Sequence, residues 1–87
     1  MGFQGGSAYA MANQIAEGHV MVTERTFTRM QKPEIDNLAF EMEKLLRSVR
    51  GTQPELEDTQ ALQRRNRKIS RVNSALMMLR AHRQRRR

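Results

Sequence analysis

The chain has 87 residues, no cysteine, no tryptophan, four aromatic residues and a formal net charge of +7, which leaves room for one small domain with a thin core. Without cysteine, disulfides, thiolate metal sites and cysteine nucleophiles are excluded, and no run of residues approaches the ~20 apolar positions of a membrane-spanning helix. The charge is uneven: residues 1–58 hold six basic and nine acidic side chains, whereas residues 59–87 hold ten basic and none acidic.

Met1 to Ser7 (MGFQGGS) reads as an unstructured leader or a cloning remnant, with Met11 and Met21 as other candidate starts. Residues 1–31 as a whole are expected to form a flexible leader, because Gly, Ala, Ser, Asn and Gln dominate its beginning without clear periodicity. Within it, the β-branched and aromatic residues of Val20 to Arg29 (VMVTERTFTR) favour a short extended segment at 20–29.

The first firm helix spans Pro33 to Arg50. Proline suits the first helical position, Glu34 and Asp36 complement the positive helix start, Arg47 and Arg50 the negative end, and Gly51 is expected to take the left-handed terminating conformation. Ile35, Leu38, Met42, Leu45 and Val49 recur at three- and four-residue spacing, an apolar stripe of coiled-coil type that Ala39 and Leu46 widen. A second helix is expected from Thr59 to His82, capped by Asp58, with Leu62, Ile69, Val72, Leu76 and Leu79 as the matching stripe. Arg65 interrupts that stripe, and its alkyl stem is expected to cover the seam while its head reaches water.

The linker between the two helices is short, so residues 32–82 are expected to fold as an antiparallel helical hairpin followed by a basic tail at 83–87. The fold class is therefore all-α. A thin core makes self-association a natural completion: the ten stripe residues are expected to join two copies into a homodimeric four-helix bundle.

Arg64, Arg67, Lys68 and Arg71 lie at i, i+3, i+4 and i+7, which on a helix forms one continuous cationic stripe beside the apolar seam. Arg65 adjoins it, and Arg80, Arg83, Arg85, Arg86 and Arg87 carry the charge to the C-terminus. Nine of these ten cations are arginines, whose planar fork pairs with phosphate through two bonds and stacks on bases. The expected partner is nucleic acid, RNA ahead of DNA, bound through this arginine face. The competing reading neutralises the stripe internally, through Glu41, Glu43, Glu55, Glu57 and Asp58. A further reading docks the second helix on an acidic protein, anchored by Met77 and Met78, which face away from the seam; Phe40, opposite the first stripe, marks another possible contact.

The string QRRNRK, Gln63 to Lys68, with the terminal RQRRR, resembles the arginine-rich helices of viral RNA-export regulators, over about 25 residues and in composition. That resemblance implies insertion of Arg64, Arg65, Arg67, Lys68 and Arg71 into a widened groove of structured RNA, although Ile69, Val72 and Leu76 break the denser basic pattern of those motifs. A looser likeness is to the two-helix ribosomal protein near the large-subunit tunnel exit, also a basic hairpin on RNA. The order of extended segment, helix, glycine-containing turn and helix is similar to ribbon-helix-helix repressors. That likeness implies a ribbon at Thr23 to Met30 with Arg25, Phe27 and Arg29 turned toward DNA.

Little points to catalysis. His19 and His82 lack a matched nucleophile or carboxylate spacing, and no His, Asp or Glu cluster shows metal spacing. A non-enzymatic, cofactor-free, cytoplasmic protein is the expectation.

Overall fold

The computed structural model describes residues 7–52, 54, 55 and 57–85, and among them the chain is all-helical, with four helices and no strand. The first helix, α1 (Ala8–Glu17), lies in the segment expected to be flexible. Ser7 opens it: the hydroxyl accepts from the Ala10 N–H at 3.0 Å, satisfying one of the free donors of the first turn. Alanine is the strongest helix former, and Met11, Ala12, Ile15 and Ala16 form one buried face. Gly18 ends the helix at φ +82°, with its N–H donating to the Ile15 carbonyl (3.1 Å) and the His19 N–H to the Gln14 carbonyl (2.9 Å), the bond pair of a Schellman motif.

The second helix, α2 (Glu24–Thr28), occupies the segment read as extended. The Thr26 hydroxyl accepts from the Thr23 N–H at 3.1 Å, and Phe27 is fully buried. A local cap and the burial of one large ring override the β propensity of this stretch. There is accordingly no ribbon at Thr23 to Met30, and Phe27 points into the core rather than outward.

The two expected helices follow as α3 (Lys32–Gly51) and α4 (Thr59–Arg85). In α3 the Glu34 carboxylate accepts from the Gln31 N–H at 2.8 Å, half of a capping box. Gly51 does not adopt the left-handed conformation; Gly18 is the one glycine among the described residues with positive φ. The α4 start is as expected, with Asp58 accepting from the Ala61 N–H at 3.0 Å, and the helix continues three residues past His82.

The start of α4 meets the end of α3, where Arg65 touches the Arg50 carbonyl, and the end of α4 meets the start of α3, where Arg83 approaches Asp36. Between them the apolar stripes face each other. Ile35, Leu38, Met42, Val72, Leu76 and Leu79 are buried, and Leu45 and Ile69 pack half-buried at the margin; Val49 and Leu62 are also half-buried. The third wall comes from the same chain: Met11, Ile15, Phe27 and Met30 join the cluster. Much of the stripes expected to join two copies is thus covered by α1 and Phe27, a contribution hidden in the sequence because Ala12 and Ala16 bring little apolar area while permitting close approach. His82 is the one buried polar residue among those described; its ring lies 5.9 Å from that of Phe27.

Replacing Phe27 by alanine should lower stability by about 3–5 kcal/mol, the usual cost of deleting a fully buried ring, measured as the shift in urea midpoint. An unchanged midpoint would show that the ring is not in the core.

Candidate nucleic-acid interface

Helix α4 contains eight Lys/Arg residues and no carboxylate, so every counter-charge must come from another element. The bundle supplies two kinds: helix C-termini and surface carboxylates.

Arg65 serves the first kind. Its Nε donates to the carbonyls of Val49 (3.2 Å) and Thr52 (3.1 Å), and its Nη2 to that of Arg50 (3.1 Å). The guanidinium therefore takes the role expected of Gly51, satisfying the last carbonyls of α3 and meeting the negative end of the helix dipole. Its head does not project into water as expected but bridges the two helices. Arg71 repeats the device on α1: Nη1 donates to the Ala16 carbonyl at 3.0 Å. Space for it exists because residue 18 is glycine; a Cβ there would lie 2.9 Å from the Arg71 Cζ.

Surface carboxylates supply the second kind. Lys68 pairs with Glu17 at 2.9 Å, Arg80 with Glu43 at 3.0 Å and Arg85 with Glu24 at 2.7 Å, while Arg83 lies 3.9 Å from Asp36. Of the carboxylates expected to neutralise the stripe, Glu43 pairs with α4 and Asp58 caps it; Glu41, Glu55 and Glu57 form no ion pair with it. Glu17 and Glu24 are not legible as partners in the sequence, because the small residues of α1 and the β-branched residues around α2 leave little helical signal there. The Glu17 carboxyl is held below its usual range, first by the hydrogen bond from Lys68 and then by the charge of that ammonium.

Two members of the stripe remain. Arg67 is exposed and makes no hydrogen bond or ion pair, and Arg64 has a long contact of 3.5 Å to the Gln60 carbonyl of its own helix. Arg86 and Arg87 lie outside the described residues.

Two depressions flank this part of α4. One, of about 530 Å³, lies between the end of α3 and the start of α4 and is bordered by Arg64, Arg65 and Lys68 together with Leu45, Val49 and Pro54. The other, of about 460 Å³, is bordered by Ile15, Val20, Met21 and Val22 on one side and Ser70, Arg71, Ser74 and Met78 of α4 on the other. The C-terminal end of α1, carrying Glu17, docks on the Lys68–Arg71 turn that borders both. Neither depression has a carboxylate in its wall. Two exposed apolar side chains stand away from both depressions: Phe40 and Met77, each three residues before a member of the Glu43–Arg80 pair, are 56% and 69% exposed.

No group of three His, Asp or Glu among the described residues is placed to hold a metal ion, and no described helix is long and apolar enough to cross a membrane. Comparison of the chain with protein-family models, curated proteins and solved structures gives no match.

Removing the cap with Arg65→Ala should cost about 1–2 kcal/mol, and Arg65→Lys should recover only part of it because an ammonium lacks the fork; urea unfolding measures both. The Glu17–Lys68 pair has a pH signature. A carboxyl whose folded pKa lies below its unfolded value adds stability above the unfolded value, near 4.5, and loses it as pH falls through the folded one. The small stability gap between the wild type and Lys68→Met should therefore narrow as the pH falls from about 7 to about 3, and a constant gap would mean that the pair does not form.

Proposed function

We propose that this chain is a non-enzymatic nucleic-acid-binding protein, RNA ahead of DNA, whose α3–α4 hairpin, closed by α1, presents the outer face of α4 to phosphates. The observation that supports this reading most is the state of the α4 cations. Arg64 and Arg67 carry no counter-charge, and the ion pairs of Lys68, Arg80, Arg83 and Arg85 are all substantially exposed. Exposed pairs of this kind contribute about 0–1 kcal/mol each, so phosphate competes for those cations at small cost to the fold. Arg65 and Arg71 are different, since releasing them uncaps a helix; they act from fixed positions, with their remaining N–H donors. Arginine's capacity to stack on accessible bases favours RNA, whose loops and bulges expose them.

A second reading, an adaptor docking on an acidic protein, draws support from exposed Phe40, Met77 and Met78. The two readings predict opposite outcomes. In fluorescence-anisotropy titrations with RNA, duplex DNA and single-stranded DNA at two salt concentrations, Arg64→Glu with Arg67→Glu should weaken binding and lower the log–log salt slope by about 2. Met77→Ser, which borders neither depression, should leave it nearly intact. Absence of binding to every nucleic acid at low salt would refute the proposal and leave the adaptor reading in place.

A further inference from the structure

Resting on the nucleic-acid reading, and going beyond it, we infer that the depression between residues 18–22 and α4 receives the base of an unpaired nucleotide, whose flanking phosphates lie on Arg67 and Arg71. Three observations converge on this occupant.

The first is shape and lining. At about 460 Å³ the depression falls in the size range of preformed small-ligand sites and has room for a nucleoside. Ile15, Val20, Val22 and Ala75 supply apolar walls for the faces of a planar ring, and Met21 and Met78, both exposed, add adaptable thioethers to the lining. Ser70 and Ser74, one turn apart on α4, put two hydroxyls on one wall, where each can donate to or accept from a base edge.

The second is the placement of charge. Arg71 lines the depression, and only its Nη1 is engaged, by the Ala16 carbonyl. This anchors the guanidinium plane beside the opening and leaves further donors for a phosphate. Arg67, without any partner, lies one turn earlier, adjacent on the helix surface to both Ser70 and Arg71. The rise from Arg67 to Arg71 is about 6 Å at 1.5 Å per residue, so Arg67 stands one turn beyond the wall that Arg71 lines.

The third is contrast with the neighbouring depression. There, Arg64, Arg65 and Lys68 share the wall with Leu45, Val49 and Pro54, three cations where the base site has Arg71 alone. One strip of α4 thus sets a hollow with three cations beside one with a single arginine, as a single strand sets phosphate beside base. A duplex cannot use the apolar hollow, because its bases are stacked inside; a loop, a bulge or a single strand can. An acyl chain would use the apolar walls but leave the two hydroxyls of Ser70 and Ser74 unmatched.

The test uses the full chain and four fluorescein-labelled probes: a single-stranded RNA, the same RNA as a perfect duplex, that duplex with a one-nucleotide bulge, and the corresponding single-stranded DNA. The wild type should bind the single strands and the bulged duplex about tenfold more tightly than the perfect duplex, as expected when one base gains a stacking site. Ser74→Phe, which fills the hollow without altering charge, should abolish the preference and leave duplex affinity unchanged. Met21→Ser keeps the test independent of folding defects, since Met21 is 88% exposed and outside the core; it should lower the preference about threefold, part of the energy of one base contact. Equal affinity for all probes, or a preference that survives both substitutions, overturns the inference while the nucleic-acid reading stands. No binding to any probe at low salt overturns both, whereas stronger binding to phosphatidylglycerol vesicles that Met21→Ser abolishes overturns the base site alone.

Discussion

A long helix with cations and no carboxylate cannot balance its own charge, and the architecture of this protein follows from that constraint. α4 has an apolar stripe that must be buried and, alongside it, arginines that need acceptors. Burying the stripe against α3 and α1 brings helix C-termini and acidic side chains within reach of those arginines. The two requirements are met by the same contacts: Arg65 ties α4 to the end of α3, and Arg71 ties it to the end of α1. Each guanidinium replaces water at carbonyls that would otherwise need it, next to a seam from which water is excluded.

This arrangement divides the cations by function. Arg65 and Arg71 are parts of the fold, and substitutions there mix stability with any effect on binding. Lys68, Arg80, Arg83 and Arg85 stand in exposed pairs of small energy. Arg64 and Arg67 are neither. A charge-reversal experiment restricted to Arg64 and Arg67 consequently reads binding with the least disturbance to folding, whereas the i, i+3, i+4, i+7 pattern alone treats all four stripe positions as equivalent.

The N-terminal segment changes meaning most. Read by composition it is a leader; in the fold it is the third wall of the core, and its C-terminal end places Glu17 against the middle of the cationic stripe. The same segment makes one side of the apolar hollow through Val20, Met21 and Val22. Without α1 and the turn after it, α4 would be an open basic helix; with them, it has a shaped surface.

The sequence by itself determined the all-α class, the spans of α3 and α4 to within a few residues, the Asp58 cap and the identity of the residues on both apolar stripes. These are consequences of local periodicity and capping chemistry, which act over one or two helical turns. It also located Met77, Met78 and Phe40 on the outside, since a residue opposite a stripe faces outward unless something covers it. Only the tertiary structure decided that Ala8–Glu17 is a helix, because small residues leave little trace in hydrophobic periodicity and earn their place through packing. The folding of Glu24–Thr28 as a helix with Phe27 inward depends likewise on a core assembled from distant segments. Which arginines are spent on helix ends, and which are left for a partner, is a matter of contacts between segments distant in the chain, such as Arg71 with Ala16 and Arg85 with Glu24, and no local pattern encodes it.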